Sequence, residues 1–292
     1  MNKPIKITAG LISNFLNCLK RKPHEHKGYS GKVLLVGGDK GKSGALLLAG
    51  KAALYGGAGW TILSMFDKAS THVVDKQPEL MINYEGDFDD TDPFDEMNPD
   101  VIAIGPGLGL GSKATKWVKQ SLLSNKPIIL DADALTIVAK NGELLSILQN
   151  RDAESIITPH PGEAASLLGL DSKIIQEDRI KAINLLINLT SSIVVLKGMG
   201  TLIGSKKNPI HQCVHGNPGM ATGGMGDVLT GFIAAIVAQG VRHHLNMWES
   251  TLLSVQLHAM ASDSLKEEGI GPIGMTPSEL IQTIRKSLNA PA

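Results

Sequence analysis

Residues 32–65 read KVLLVGGDKGKSGALLLAGKAALYGGAGWTILSM. Lys32–Val36 is a compact apolar run ending on two glycines, the pattern of a buried strand entering a tight turn. From Ala45 to Tyr55 the apolar residues fall at helical spacing, and Trp60–Met65 is a second run of strand length. Strand, glycine-rich loop, helix, strand is the order of a βαβ unit, whose strands pair in parallel through a right-handed crossover. The order then repeats. Val101–Gly105 enters GPGLGLG ahead of a helix predicted over Ser112–Leu123, and Pro127–Asp131 ends on an acid. Ser155–Thr158 enters PHPGE and a helix, and Ile193–Leu196 enters KGMGT. From Gly226 onward the pattern is helical, with one helix ending near Gly240 and one over Met247–Lys266. A third follows Thr276, a suitable N-cap, with Pro277 in its first turn. The strand runs are nearly continuous in apolar residues, as required where helices cover both faces of a sheet. One doubly wound α/β domain with a mostly parallel sheet is therefore expected over residues 1–292.

Lysine plus arginine total 28 against 28 acidic residues, a formal charge of zero that disfavours broad attachment to nucleic acid or anionic membrane. Aromatic residues make up 4%, too few for platforms that stack single strands. Cys18 and Cys213 lie far apart without metal-type spacing, so a reducing compartment is expected and a disulfide framework is not. Leu11, Ile12, Phe15, Leu16 and Leu19 have helical spacing with basic residues behind them, unlike a secretory signal. The apolar run Phe232–Ala238 is too short to span a bilayer. These features fit a cytoplasmic small-molecule protein. Asp87–Asp100, acidic and broken by Pro93 and Pro99, reads as a solvated loop rather than a metal site.

In doubly wound sheets, ligands bind beyond the carboxyl ends of the strands. Glycines or reactive side chains follow nearly every predicted strand here: Gly37-Gly38, Gly105-Pro106-Gly107, Asp131, His160 and Lys197-Gly198. The densest stretch is Asn217–Gly231, NPGMATGGMGDVLTG. Its glycines leave backbone N–H groups uncovered just before a helix start, which together make an anion site suited to phosphate. Like charge bars Asp227 from binding that phosphate, so it is placed to take a proton from a group attacking it. A glycine-rich loop capped by an aspartate would show the same letters. GGDKGKS imitates a Walker A loop, but the required first glycine falls on Val36, and from Gly37 the loop is one residue short. His160 and Glu163 stand at a predicted helix start, where Glu163 either caps the helix or reaches magnesium through water. Lys197 with Gly198, Gly200 and Thr201 either offers a cation and bare backbone to a nucleotide or merely turns a hairpin. His243 and His244 read as surface residues after a helix.

As a set and in this order, HKGYSGKVLLVGG, GPGLG, LDADAL, TPHPGEAASLLG, VLKGMGT and GNPGMATGGMGDVLTG resemble the ADP- or ATP-dependent NAD(P)H-hydrate dehydratases, which have a ribokinase-like fold. The resemblance runs from about His26 to the helix after Asp227. It implies that a nucleotide, with ADP favoured, phosphorylates the ring hydroxyl of hydrated NADH or NADPH (NADHX or NADPHX), and that phosphate elimination restores the cofactor. Ala45, Gly107, His160 and Asp227 match substrate-binding positions, and Asp227 is the implied base. Lys197, Gly198, Met199, Gly200 and Thr201 match the nucleotide side, with Gly224, Met225 and Gly226 as the anion hole. Magnesium is the implied metal, with Glu163 as a water-mediated contact, and a homotetramer the implied assembly. Few residues precede the first motif, so the epimerase activity of bifunctional relatives is not expected. This chain has His160-x-x-Glu163 where wider ribokinase-like kinases have Asn-x-x-Glu, which weakens transfer of their metal chemistry. At position 225 it has Met where many relatives have a small hydroxyl residue, so the backbone must serve the hole alone. A ribokinase-like kinase of a vitamin-precursor alcohol is the alternative reading.

Overall fold

A computed structural model describes residues 3–70, 77–83, 94 and 97–290; most of the acidic Asp87–Asp100 stretch lies outside the described residues. The chain forms β1 (Ile5–Lys6), β2 (Lys32–Gly37), β3 (Trp60–Met65), β4 (Met81–Asn83), β5 (Val101–Ile104), β6 (Ile128–Leu130), β7 (Ser155–Ile157), β8 (Ile193–Leu196), β9 (Leu202–Gly204) and β10 (His211–Gln212). All lie in one sheet, ordered β1-β10-β9-β8-β7-β6-β5-β2-β3-β4. From β4 to β8 every pairing is parallel, and among the described residues only β9 runs antiparallel to its neighbours. The βαβ reading of residues 32–65 holds, with β2 and β3 in register from Lys32 opposite Trp60 to Gly37 opposite Met65.

The continuous apolar runs divide alternately between two cores, because successive side chains of a strand point to opposite faces. Val33, Leu35, Val101, Ala103, Ile129, Ile156, Ile193 and Val195 join one cluster. Leu34, Val36, Ile102, Ile104, Ile128, Leu130, Ile157, Val194 and Leu196 join the other. The first is covered by α1 (Ala9–Cys18), α2 (Ser43–Tyr55), α9 (Met225–His243), α10 (Met247–Glu267) and α11 (Pro277–Leu288). The second is covered by α3 (Ser112–Leu123), α4 (Ala132–Ala139), α5 (Gly142–Gln149), α6 (Pro161–Leu168), α7 (Ser172–Glu177) and α8 (Arg179–Thr190). Thr276 N-caps α11 in a capping box with Glu279, as its position before Pro277 foretold.

Helix α9 is the central element of the first core, with every residue from Val228 to Gly240 buried. It is long and apolar enough by length and composition to cross a bilayer, so the short run Phe232–Ala238 understated it, but its apolar surface is enclosed by the fold. A Cβ on Gly231 would lie 1.9 Å from the Ala49 carbonyl oxygen, so α2 and α9 cross almost backbone to backbone. The helix ends at His243, near Gly240 as expected. A Cβ on Gly240 would lie 2.6 Å from the Leu245 carbonyl oxygen, so close packing of the returning chain accounts for the glycine. His244 takes the left-handed cap. One expectation fails at this end. His243 is not a surface residue: its side chain is 6% exposed, with Nε2 3.8 Å from Glu25 Oε2. Both cysteines are unpaired.

Candidate active site

Asp131, at the carboxyl end of β6, joins the strand ends to α9. Its side chain is 2% exposed. Oδ1 accepts from Thr158 Oγ1 at 2.8 Å and from Lys197 Nζ at 2.7 Å, while Oδ2 accepts from Thr230 Oγ1 at 2.7 Å. One carboxylate thereby ties the ends of β6, β7 and β8 to the first turns of α9. The next residue, Ala132, adopts φ +49°, a strained value for a non-glycine residue that marks the locality as over-determined by its surroundings.

Gly224, at φ +97°, starts α9 without any side-chain cap. Met225 N–H reaches the Thr222 carbonyl and Val228 N–H the Gly224 carbonyl. The N–H groups of Gly226 and Asp227 have no acceptor among the described residues, so this helix start keeps open donors of the kind that could take an anion. Part-buried Asp227 sits in the same turn. Burial, reinforced by the charge of Asp131 and opposed by Lys197, pushes its carboxyl up to about 6. Burial likewise pushes Glu163 up to about 7, against the pull of Lys197. For Lys197, burial would favour the neutral amine, but Asp131 and Glu163 more than compensate and hold its pKa above the usual lysine value.

A cleft of about 400 Å³ opens beside this turn, and Lys197, Gly198, Met199, Gly200, Thr201, Met225 and Gly226 all line it. The hairpin reading and the ligand reading of residues 197–201 are thus compatible, since the turn linking β8 to β9 is one wall of the cleft. Met199 stands at its tip, 99% exposed, whereas the Met225 side chain is buried in the core. Gly224 and Asp227 lie outside the lining. A Cβ at Gly224 would meet Leu48 and Pro277, so its contribution is the positive φ that starts the helix. His258 also lines the cleft and donates from Nε2 to the Met225 carbonyl at 3.0 Å. Burial depresses its pKa to about 4, which favours the neutral ring, and the carbonyl contact requires the proton on Nε2. Asp263 pins the His215–Asn217 segment of the rim, accepting from Gly216 N–H at 2.9 Å and Asn217 Nδ2 at 3.1 Å.

The substrate-side positions form two groups. Gly107, at φ +59°, lies so close to the first loop that a Cβ would sit 2.4 Å from the Lys42 carbonyl oxygen. Its own carbonyl accepts Asp39 N–H at 2.6 Å. Asp133 clamps the two loops from below, accepting from Lys42 Nζ at 3.0 Å and Gly109 N–H at 2.8 Å, and Ala45 follows in the first turn of α2. With its ammonium turned to Asp133, Lys42 plays no Walker role. His160 forms a capping box with Glu163: its Nδ1 accepts from Glu163 N–H at 3.3 Å and also from Gly162 N–H at 3.0 Å, and Glu163 Oε2 accepts from His160 N–H at 2.8 Å. The groups meet through Asp131 and Asp133, whose charges both act on Asp227 and Glu163.

Sequence reasoning missed Thr158, Thr230, His258 and Asp263, and placed Asp131 at a strand end beside the ligand crevice without its partners. Thr230 could have been found, since it stands three residues after Asp227 and shares its helix face. Among the described residues, no group of three or more His, Cys, Asp or Glu is arranged to hold a metal ion. Asp131 already carries an ammonium and two hydroxyls, and Glu163 caps α6, so these carboxylates do not fit a metal held by protein alone.

A family model described as NAD(P)H-hydrate dehydratase matches residues 33–286. The chain is 34% identical to the ADP-dependent (S)-NAD(P)H-hydrate dehydratase of Neisseria meningitidis serogroup B, covering 91% of this chain and 87% of that protein. It is 38% identical to the bifunctional NAD(P)H-hydrate repair enzyme Nnr of Coxiella burnetii over 92% of this chain, and spans about half, 53%, of that longer protein. In three dimensions it is similar to the ADP/ATP-dependent NAD(P)H-hydrate dehydratase of Bacillus subtilis co-crystallised with ATP and Mg2+, with TM-score 0.80, 26% identity and 98% of both chains covered. A hydroxyethylthiazole kinase from Pyrococcus horikoshii, at 15% identity and TM-score 0.62, shares the ribokinase-like fold alone. On its motifs, its sheet and these matches, the chain belongs to the NAD(P)H-hydrate dehydratase family.

Proposed function

We propose that this chain restores NADH or NADPH from the hydrated form by nucleotide-dependent dehydration. The observation that carries the reading is the first turn of α9, where unpaired N–H groups of Gly226 and Asp227 stand beside the part-buried Asp227 carboxylate. The terminal phosphoryl group of ADP or ATP would lie on those N–H groups, in the cleft walled by Lys197–Thr201. Asp227 takes the proton of the ring hydroxyl, whose oxygen forms a bond to phosphorus as the nucleotide leaves. The phosphate then leaves as inorganic phosphate while the adjacent ring carbon gives up a proton to solvent, and the electrons of that C–H bond form the ring double bond. A carboxyl held at about 6 is ionised at neutral pH yet more basic than an ordinary aspartate, which suits this task. Ala45, Gly107 and His160 would orient the dinucleotide on the other side of the turn.

ADP is the expected donor, in keeping with the name of the Neisseria relative. Magnesium would accompany the nucleotide's phosphates, with Glu163 reaching it only through water. A homotetramer is the expected assembly and the cytoplasm, consistent with two unpaired cysteines, the expected setting. Light scattering on the purified protein tests the assembly. The decisive experiment mixes the protein with hydrated NADH, magnesium and either ADP or ATP, and follows absorbance at the reduced-nicotinamide band. Recovery with release of inorganic phosphate is expected. No recovery with either nucleotide would move the assignment to a kinase that keeps its phosphorylated product.

A further inference from the structure

The carboxylates of Asp131, Glu163 and Asp227 are grouped around one ammonium beside the anion site. Lys197 Nζ lies 2.7 Å from Asp131 Oδ1 and 3.9 Å from Glu163 Oε2, within the field of Asp227. It is 3.3 Å from the point a Cβ on Gly226 would occupy. Acidic side chains next to a phosphate-binding helix start are the usual means of holding a divalent ion against the phosphates. Magnesium demands near-octahedral oxygens at about 2.0–2.1 Å and gives up its waters reluctantly. Asp131 cannot offer that here, because hydroxyls of Thr158 and Thr230 and the ammonium of Lys197 already occupy both its oxygens. Nor is the lysine free to swing aside, since Asp131 holds it from strand β6 while its own backbone N–H is fixed to the Pro159 carbonyl at 2.9 Å.

We propose that Lys197 is the resident cation of this site, standing where a protein-held divalent metal would otherwise stand. Any magnesium then arrives on the nucleotide, and the nucleotide-free protein has no metal site among these carboxylates. This rests on the reading of the 197–201 cleft as the nucleotide's. Placed beside Gly226, the ammonium adds a full positive charge to the same hole that the Gly226 and Asp227 N–H groups line. It thus supplies the charge stabilisation for which phosphoryl-transfer sites commonly use a metal.

The test is a Mn2+ titration of the nucleotide-free protein, reading free Mn2+ by electron paramagnetic resonance. Wild type is expected to show no site tighter than the order of 1 mM, the weak end of oxygen-ligand affinities. Lys197→Met, which keeps the stem and removes the charge, is expected to gain a Mn2+ site at least tenfold tighter, lost again when Asp131→Asn is added. A wild-type site of micromolar affinity that Glu163→Gln abolishes would overturn the proposal. So would a Lys197→Met protein that is folded by circular dichroism and gains no site. If that variant does not fold, the wild-type and Glu163→Gln titrations still decide the matter. Failure of the dehydration assay would leave these titrations untouched, so the two readings fail separately.

Discussion

Asp227→Asn should make the protein more stable and nearly inactive at once. The substitution keeps the shape of the side chain and removes its charge. In the folded chain the carboxyl is raised from 3.8 to about 6, chiefly by burial and next by the charge of Asp131. Between those two values the folded protein holds a proton that the unfolded chain has released, so stability falls as pH rises through this window. Above pH 6 the penalty is complete: about two pKa units at 1.36 kcal/mol each is about 3 kcal/mol. Asparagine escapes it, and because the raised value is already net of the attraction of Lys197, a gain of up to about 3 kcal/mol at pH 7 is expected. Below pH 4 the difference should close. Urea denaturation at pH 7 and pH 4 measures the stability, and cofactor recovery measures turnover, which should fall by roughly 10²–10⁴ with loss of the base. A variant less stable than wild type at pH 7 would refute the electrostatic account of the site. Turnover within tenfold of wild type would remove Asp227 as the base.

With Asp227 as the ionising group, kcat/KM should decline below an acid limb near pH 6, and the limb should vanish from the residual activity of Asp227→Asn; its persistence would assign it elsewhere. Asp263→Ala frees Gly216 and Asn217 at the cleft rim, so the KM for nucleotide should rise about 5–30-fold, as for loss of one or two charged hydrogen bonds, with kcat changed less than about threefold. An unchanged KM would show that the rim does not contact nucleotide. Gly226→Val places a branched side chain within 3.3 Å of the Lys197 ammonium and over the bare N–H groups. Nucleotide affinity by calorimetry should drop at least about tenfold, and full affinity would take Gly226 out of the site.

Much of the fold was legible because parallel strands covered on both faces leave an unambiguous trace. VIAIG and IVVL cannot be strands of a half-exposed sheet, and each proved to feed both cores alternately. The helix start at residues 224–227 was legible for a similar reason, since four glycines ahead of one acid have few other uses. What stayed hidden depends on contacts distant in sequence. Asp131 and Lys197 are 66 residues apart and Thr230 is 99 from Asp131, so no local spacing could reveal the buried network. His243 was misread because a histidine near a helix end is usually solvated, whereas here the 24–30 connector folds over it and brings Glu25.

One cation among several carboxylates cannot neutralise them all, and the geometry decides which is served. Lys197 gives its short bond to Asp131, while Glu163 is left at 3.9 Å and Asp227 with only a longer-range attraction. The two underserved groups are the two whose proton affinity is raised, Glu163 to about 7 and Asp227 to about 6. On this account Asp131 is a positioning residue that tunes the base without touching substrate, by holding the lysine away and by adding its own negative field. Asp131→Asn should therefore move the acid limb of kcat/KM below 6, because Asp227 loses a repelling charge and gains a larger share of Lys197. Breaking a buried pair costs about 3–5 kcal/mol, so the profile must be taken on material shown to be folded, and per folded molecule. A purely structural Asp131 would lower activity at every pH and leave the limb in place. A limb that stays put, or moves up, would sink the tuning role and return the basicity of Asp227 to burial alone.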